Sequence, residues 1–330
     1  DLVVGLLGDG MRPLNPITRD ARETWMRRLP GVRKRHRWFL PFEGLAFASL
    51  DTSGYDLIVS SSSAFAKAVK PRNGAMHVSY CHSPPRYLWD LRAMYERDAT
   101  PLQRVAMRLG TGPLRAFDRR SANGVHHFIS NSQYVSHRIG RCYGRSSTVI
   151  YPPVEPKPLD GKPGSRGDFL LYLGRLVPYK RVDLAIRAAE RLGVTLVIAG
   201  EGPDRRRLEG LAGRHTEFLG GVTDAEAGML LETCRAFVFP GEEDFGIAPV
   251  EANAHGAPVV GYAAGGLLET MVPGVTAELF DAQQVDDLGA AIRRVYDRHW
   301  DEAALRANAR RFTPERFRRQ IGDFVWDRLQ

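Results

Sequence analysis

Residues 169–200 read FLLYLGRLVPYKRVDLAIRAAERLGVTLVIAG and contain one complete strand–helix–strand unit. Phe169 to Leu173 and Thr195 to Ala199 are short, continuous apolar runs, which are typical of strands covered on both faces. Between them, Asp183 to Leu192 has apolar residues at helical spacing. Two neighbouring parallel strands require such a crossover, and it is right-handed in almost all proteins. The unit therefore predicts a parallel sheet with helices on both faces.

The same alternation continues on both sides of this unit. Further strands are expected at Phe218-Leu219, Ala236–Pro240 and Pro258–Gly261, and helices at Asp204–Leu211, Asp224–Cys234 and Ile247–His255. In the first half, Tyr55–Ser60, Met76–Cys81 and Val125–Ser130 indicate strands and Leu102–Arg120 a long basic helix. The Pro- and Gly-rich stretch from Tyr151 to Gly167 indicates a linker. The pattern predicts an α/β protein with two Rossmann-like, doubly wound domains.

The predicted boundaries follow from this linker and from the final helix. We expect one domain over residues 1–153 and a second over 154–312. A last helix, 313–330, has an apolar stripe, formed by Phe317, Ile321, Phe324, Val325 and Leu329. Because such a stripe needs a partner surface, we expect this helix to cross back onto the first domain.

Composition excludes several classes of protein. The chain has 330 residues, of which 43% are hydrophobic and 25% charged, as in globular proteins with a large core. No apolar run approaches the roughly 18 residues of a membrane span. Cys81, Cys142 and Cys234 are widely spaced and fit no metal or redox motif, so we expect reduced, partly buried thiols.

The charge is divided unequally between the two halves. Residues 1–150 hold 23 Lys and Arg against 11 Asp and Glu, whereas residues 151–330 hold 23 against 27. The basic first half favours an anionic partner. Residues 25–39 combine six basic side chains with Trp25, Trp38 and Phe39 and contain no acid. This combination suits an anionic membrane surface, although a solvated helix face with two packed aromatics has the same pattern.

Two stretches carry a more specific signal, GRLVPYK at 174–180 and EDFGIAPVE at 243–251. In this order they resemble glycosyltransferase family 4, whose members are retaining enzymes of the GT-B fold. HSPPRY at 82–87 with Trp89-Asp90, the ISNS at 129–132 and the YPPV at 151–154 resemble the branch with mannosyltransferases of cell-surface polysaccharide assembly. The resemblance implies two domains facing a cleft, with the donor bound mostly by the second.

The second stretch contains two glutamates, Glu243 and Glu251, that suit sugar hydroxyls. Glu251 falls in the early turns of a helix, where its two oxygens can accept hydrogen bonds from the cis hydroxyls of a ribose. Glu243, on the loop before that helix, can reach hydroxyls of the transferred sugar. Backbone amides at the helix start, near Phe245, Gly246 and Ile247, favour a pyrophosphate. The alternative is a surface glutamate plus an acid placed favourably in the helix dipole.

Two cations, Arg175 and Lys180, follow Gly174 on the loop after the first strand of the second domain. Fixed positive charges there stabilise the negative charge that grows on the leaving phosphate. The alternative is a pair of solvated loop cations. Many relatives have glycine after the lysine, whereas this chain has Arg181, which can add a third cation.

Other contacts are implied by the resemblance alone. In the family, loops such as those at Glu201-Gly202 and Val222 hold the nucleotide base through backbone groups, although both are also ordinary turns. A Gly-rich loop such as Gly265-Gly266, followed by Glu269, lies near the donor sugar. In the first domain, His82 is implied to contact the donor sugar and Arg86 the acceptor. The family's first strand and glycine loop are expected to precede Asp1, so that Gly5, Gly8 and Gly10 do not form a phosphate loop.

These patterns predict a retaining hexosyltransferase acting on a glycan or lipid-linked acceptor, with GDP-mannose as donor by resemblance. No D-x-D motif or His/Glu cluster indicates a metal, so we expect no cofactor besides the nucleotide sugar. The expected location is the cytoplasm, at the inner face of the membrane, without a nucleic-acid partner. The alternatives are a UDP-sugar-dependent enzyme acting on a small molecule, an epimerase or phosphorylase of the same double fold, and a non-catalytic protein that binds a sugar nucleotide or nucleic acid.

Overall fold

The computed structural model describes residues 1–5, 21–33, 39–155 and 166–330. Within them the chain divides into two compact units. The first unit comprises residues 1–149 together with 325–330, and the second comprises residues 150–324. Each unit is built on a parallel sheet.

The first unit contains two sheets. Its strands are β1 (Val3–Val4), β2 (Arg22–Glu23), β3 (Leu57–Ser62), β4 (Met76–Cys81), β5 (His127–Ser130) and β6 (Thr148–Val149). The strands β1 and β2 pair with each other, and β3 to β6 form a four-stranded sheet in chain order. The helices are α1 (Leu40–Ala48), α2 (Arg92–Asp98), α3 (Pro101–Asn123) and α4 (Gln133–Tyr143), with 3-10 turns at Trp25–Arg28 and Ala66–Ala68. Thr100 and Gln103 form a capping box that fixes the start of α3.

The second unit contains one six-stranded sheet. Its strands are β7 (Phe169–Leu173), β8 (Thr195–Ala199), β9 (Thr216–Gly220), β10 (Ala236–Phe239), β11 (Val259–Tyr262) and β12 (Ala277–Phe280). The helices are α5 (Val182–Leu192), α6 (Arg205–Glu209), α7 (Asp224–Thr233), α8 (Ile247–Ala254), α9 (Leu267–Thr270), α10 (Val285–Asp297), α11 (Glu302–Ala309) and α12 (Pro314–Leu329). The strand order is β9-β8-β7-β10-β11-β12, so the direction of winding reverses between β7 and β10.

The strands of this sheet are apolar throughout because both of their faces are buried. Leu170 packs in one hydrophobic cluster and its neighbour Leu171 in another, and both are fully buried. The same alternation holds for Val238 and Phe237 on β10. Helices cover each face, so no polar side of the strand is needed. The predicted doubly wound α/β class is confirmed.

Most predicted elements lie within a few residues of the observed ones. The helix predicted over Asp204–Leu211 is shorter, because α6 ends at Glu209 and Gly210 follows as its C-cap. The three cysteines form no disulfide and are buried, more deeply than predicted. Burial raises the pKa of the Cys142 thiol to about 11 and that of Cys234 to about 12, which keeps both protonated at neutral pH.

A buried ion pair lies inside the first unit. Lys67 Nζ is 2.5 Å from Asp118 Oδ1, and the side chains are 4% and 0% exposed. Trp89 Nε1 donates to the other carboxylate oxygen of Asp118 at 2.9 Å. Because both oxygens of Asp118 are bonded, its charge is compensated within the core. Trp89 of the HSPPRYLWD stretch is therefore a structural residue that fixes this loop to α3.

A buried arginine, Arg138 on α4, organises the same loop. Its side chain is 1% exposed and bonds Ser83 Oγ and Asp90 Oδ2 at short distances, with Pro84 O at 3.3 Å. Asp90 also pairs with Arg141 at 3.3 Å, but that arginine is 64% exposed. The guanidinium of Arg138 is thus held by Ser83, Pro84 and Asp90.

We expect Arg138→Ala to destabilise the protein by about 3 kcal/mol or more, since it removes a buried cation that bonds Ser83 Oγ, Asp90 and Pro84 O. Arg141→Ala is the matched control and should cost less than about 0.5 kcal/mol, because its pair with the same carboxylate is exposed. Urea unfolding of the full chain measures both free energies. Equal effects of the two substitutions would contradict this assignment.

Candidate functional site

The carboxyl ends of β7 and β10 lie side by side in the second unit. The two strands pair in parallel, with Leu170 opposite Ala236 and Leu171 opposite Phe237. The loop after β7 runs through Gly174 to a 3-10 turn at Pro178–Lys180. The loop after β10 leads into α8. In open α/β sheets, ligands bind at this reversal point, outside the carboxyl ends of the strands.

Lys180 and Glu243 are the two predicted residues that the fold brings together here. Lys180 Nζ lies 3.1 Å from Glu243 Oε1, and the two side chains are 21% and 20% exposed. The ammonium has three donors and the carboxylate several acceptor sites. Each group thus has more hydrogen-bonding sites than this one contact uses. The arrangement provides an anion-binding group directly beside a hydroxyl-binding group.

Two glycine contacts hold this pair at close range. A Cβ atom at position 241 would lie 2.7 Å from Lys180 Cα, and one at position 266 would lie 2.4 Å from Phe245 Cα. Gly266 N also donates to Glu243 O at 2.9 Å. Real Cβ atoms do not approach so closely, so any other residue would push these segments apart. The backbone around Glu243 is thus packed between the Lys180 turn and Gly265-Gly266.

Arg175 is the second predicted cation of the loop after β7. Its side chain is exposed, and its carbonyl oxygen accepts a hydrogen bond from Tyr172 Oη at 3.2 Å. Within residues 1–5, 21–33, 39–155 and 166–330, its guanidinium makes no ion pair. Its charge is therefore available to an anion from solvent.

Arg181 does not add a third cation to this site in the way the sequence suggested. Its backbone is left-handed, with φ +53°, a conformation that disfavours side chains other than glycine. Its guanidinium lies 3.3 Å from Asp183 Oδ1 and donates to Gln283 Oε1 at 3.1 Å. Gln283 Nε2 in turn donates to Pro240 O at 2.8 Å. Arg181 thus connects the Lys180 turn to the loop after β10.

The three residues predicted at the start of α8 occupy different environments. Phe245 is 3% exposed, and its ring packs against Tyr151 and Phe312 at centroid distances of 5.9 and 5.4 Å. Gly246 has φ +84° and caps the helix, and Ile247 is 48% exposed. The ring of Phe245 therefore anchors the loop in the core, so that only its backbone remains for the predicted contact with a donor.

Glu251 lies within α8, one turn after its first residue, and is half-buried. Pro249 lies in the first turn of the helix and needs no backbone donor there. The free amides at this helix start carry partial positive charge. Glu251 and these amides are thus on the same helix as predicted, with Glu243 on the preceding loop.

The residues predicted to contact the base lie on the loops that follow the neighbouring strands β8 and β9. Glu201 is mainly exposed and forms a short ion pair with Arg205. Gly202 packs on the β7 loop, where a Cβ atom would lie 2.0 Å from Leu176 O. Val222 is partly buried against the core. The Glu201 side chain is thus engaged by its neighbour, and Gly202 and Val222 present backbone or packing surface.

His82 and Arg86 belong to the first unit. His82 directly follows β4, and its Nε2 lies 2.9 Å from Ser61 Oγ. Its ring packs edge-on against Tyr80 at 5.1 Å. Arg86 is half-buried on the loop that surrounds Arg138. His82 thus lies at the carboxyl end of β4, and the roles of both residues stay predictions.

Two contacts of this region were missed by the sequence reasoning. One is the bond from Gln283 to Pro240 O. The other is Tyr151 Oη, which donates to Glu269 Oε2 at 3.1 Å beside the Phe245 ring. No local pattern marks Gln283, since its partners lie on distant segments. Tyr151 belongs to the YPPV motif, whose pattern indicates a linker and a family resemblance but no contact with Glu269.

Neither a metal cluster nor a membrane span is found in the parts of the chain that the structure describes. No group of three or more His, Cys, Asp or Glu side chains there could hold a metal ion. No helix among the same residues is both long and apolar enough to span a bilayer.

The chain is similar in sequence to curated glycosyltransferases. It is 38% identical to glycogen synthase of Mycobacterium tuberculosis over 168 residues, which are 48% of this chain and 39% of that protein. It is 26% identical to the GDP-mannose-dependent alpha-(1-6)-phosphatidylinositol monomannoside mannosyltransferase of the same organism over 246 residues, 65% of this chain and 62% of that one. The chain thus spans about two fifths to three fifths of these relatives.

Solved structures share the fold. A sucrose-phosphate synthase from Thermosynechococcus elongatus superposes with a TM-score of 0.70 at 21% identity, covering 93% of this chain and 82% of that one. Anabaena HepE, solved with UDP and glucose, gives 0.64 at 19% identity, covering 94% and 84%. At these identities the likeness concerns the fold.

Two family models match consecutive parts of the sequence. The model of Glycosyltransferase Family 4 matches residues 9–157, and that of Glycosyl transferases group 1 matches residues 160–312. Together they cover nearly the whole chain, and the chain belongs to the glycosyltransferase family that these two models describe.

Proposed function

We propose that this protein is a retaining hexosyltransferase that uses a nucleoside diphosphate sugar. The observation that carries the proposal is the Lys180–Glu243 pair at the sheet's reversal point, with Nζ and Oε1 3.1 Å apart. One group suits a phosphate and the other a sugar hydroxyl, and a nucleotide sugar presents both within a few ångströms. Family membership supports the same reaction class.

The proposed roles follow from charge. Lys180 and the exposed Arg175 bind the pyrophosphate, together with the free amides at the start of α8. Negative charge on the phosphate grows as the glycosidic bond breaks, so these groups bind the transition state more tightly than the ground state. Glu243 accepts hydrogen bonds from hydroxyls of the transferred sugar, and Glu251 from the ribose.

The proposed mechanism is attack of the acceptor hydroxyl on the same face of the sugar from which the phosphate leaves. The hydroxyl oxygen bonds to the anomeric carbon, the bond to phosphate breaks, and the hydroxyl proton passes to the leaving phosphate oxygen. No side chain was singled out as a covalent nucleophile. His82 and Arg86, on the first unit, are proposed to serve the donor sugar and the acceptor, a glycan or a lipid-linked sugar.

GDP-mannose remains the proposed donor. Its support is the relative named as a GDP-mannose-dependent mannosyltransferase. A UDP-sugar is the second candidate, favoured by the structural similarity to Anabaena HepE, which was solved with UDP-glucose. Side chains do not decide between them, because the base loops offer mainly backbone.

Nucleotide binding gives the first test. We expect one of GDP, UDP, ADP or dTDP to raise the melting temperature without Mg²⁺. At a hundredfold excess over Kd, the nucleotide should raise the free energy of unfolding by about 2.7 kcal/mol. Lys180→Ala should abolish most of this shift, because it removes the charge beside the phosphate. Lys70→Ala, on the exposed surface of the first unit, is the control and should leave it unchanged. A nucleotide shift that survives Lys180→Ala would reject the proposed phosphate site.

Glu243→Gln separates transfer from binding. We expect it to retain the nucleotide shift but to lower the rate of transfer by about 10²- to 10³-fold, since a neutral amide stabilises the developing charge on the sugar less well. The rate is followed as release of nucleoside diphosphate from the donor, either by transfer to an acceptor or by hydrolysis with water in its place. Glu217→Gln, an exposed glutamate on β9, is the control. Unchanged turnover in Glu243→Gln would refute its role.

Arg181 provides a test of how the Lys180 turn is held. Arg181→Gly relieves the left-handed strain of about 1 kcal/mol and loses a partly exposed pair of similar value, so stability should change by less than about 1 kcal/mol. Arg181→Val increases the strain, because a β-branched residue fits left-handed backbone less well than arginine does, and it also loses the pair, so about 2 kcal/mol should be lost, with weaker nucleotide binding. Denaturant unfolding and nucleotide titration measure both. Equal losses in the two variants would show that the backbone strain is unimportant.

A further inference from the structure

One face of α3 exposes a stripe of apolar side chains. Leu102, Val105 and Leu109 are 75%, 53% and 74% exposed. At 100° per residue they point in nearly the same direction, and the stripe continues through three further exposed residues, Gly112, Pro113 and Ala116. It extends for about 20 Å along the helix axis. Monomeric proteins rarely leave such a contiguous aliphatic surface in water.

The helix that carries this exposed stripe is firmly packed against the rest of the first unit. The opposite face of α3 is firmly held by Asp118, which is fully buried against Lys67, and by Thr111, which is 5% exposed. The capping box fixes the first turn. The helix therefore presents the stripe to its surroundings as part of a rigid unit.

Arginines follow one edge of the stripe. At 100° per residue, Arg104, Arg108, Arg115 and Arg119 lie together beside it. Three of them bond backbone carbonyls rather than carboxylates, with Arg104 on Ala99 O, Arg115 on Leu88 O and Arg119 on Cys142 O. Carbonyl oxygens orient a guanidinium without neutralising it. The one acid of α3, Asp118, is buried and paired with Lys67, and in the part of the chain that the structure describes none of these four arginines forms an ion pair.

The neighbouring helix α1 packs against α3 and exposes apolar side chains of its own. It contacts α3 where Gly44 meets the ring of Phe117, and a Cβ atom at position 44 would lie 2.3 Å from that ring. Next to this contact, Phe42 and Leu45 are 45% and 51% exposed. At 100° per residue, these two side chains point 100–160° away from Gly44, so they form a separate exposed apolar face on α1.

We propose that α3 lies on an anionic lipid surface. Leu102, Val105 and Leu109 enter the boundary between headgroups and acyl chains, and the arginine edge binds lipid phosphates. A second copy of this chain is a poorer occupant, since a symmetric contact would bring the arginine edges together. Nucleic acid would use the arginines but has no use for an aliphatic stripe. This surface is distinct from residues 25–39, of which 34–38 lie outside the described residues.

Vesicle sedimentation of the full chain tests the proposal without any assay of transfer. The probes are vesicles of phosphatidylcholine alone and of phosphatidylcholine with one third phosphatidylglycerol. We expect binding to the anionic vesicles and its loss, by about tenfold or more, in a Leu102→Gln, Val105→Gln, Leu109→Gln triple variant. Arg108→Gln should weaken binding by about fivefold, and added salt should weaken it further.

The control is Leu268→Gln, which removes a leucine of the second unit that is 57% exposed. It should bind vesicles as the unchanged protein does. Because the substituted α3 residues are exposed, the triple variant should keep its melting temperature. Equal binding of the triple variant would overturn the proposal. So would a dimer that the triple variant loses, since the stripe would then be covered by a second copy.

Discussion

The parallel pairing of β7 with β10 is the constraint on which the candidate site depends. These strands are separated in sequence by two complete strand–helix units, and their contact places the two motif loops at one edge of the sheet. Lys180 and Glu243 can therefore approach to 3.1 Å, although they belong to two different loops. Without this reversal of winding, the cation and the carboxylate would belong to different sites.

The Lys180–Glu243 pair is also suited to exchange partners. At about one fifth exposure each charge is desolvated enough to need a partner, but not so deeply that the pair is locked. A phosphate can take over the ammonium while a hydroxyl takes over the carboxylate. Each charge is then satisfied both with and without the ligand. The glycine contacts at positions 241 and 266 keep the distance between the two loops fixed meanwhile, so little reorganisation is needed.

The sequence predicted what is repeated or locally patterned. Continuous apolar runs predicted the strands, because burial on both faces leaves them no polar side. The resemblance of the two motifs to a glycosyltransferase family predicted Lys180, Glu243 and Glu251 as one group. It could not predict the direction of a side chain: Phe245 lies inside the motif, yet its ring points into the core against Tyr151 and Phe312. Buried pairs such as Lys67–Asp118 join distant segments and have no local signature at all.

Burial separates the two kinds of residue within a single motif. In the HSPPRYLWD stretch, Ser83 and Asp90 are bound by Arg138, and Trp89 by Asp118. Their identity is explained by these buried contacts, whereas the roles proposed for His82 and Arg86 await the test of substitution. The basic first half divides in the same way. Arg138 and Lys67 are internal and neutralised by acids, so the positive charge that a partner meets comes from arginines such as Arg108 and Arg119. The excess of basic residues counted in the sequence therefore gives the surface a positive charge mainly where arginines bond carbonyl oxygens, which do not neutralise them, instead of carboxylates.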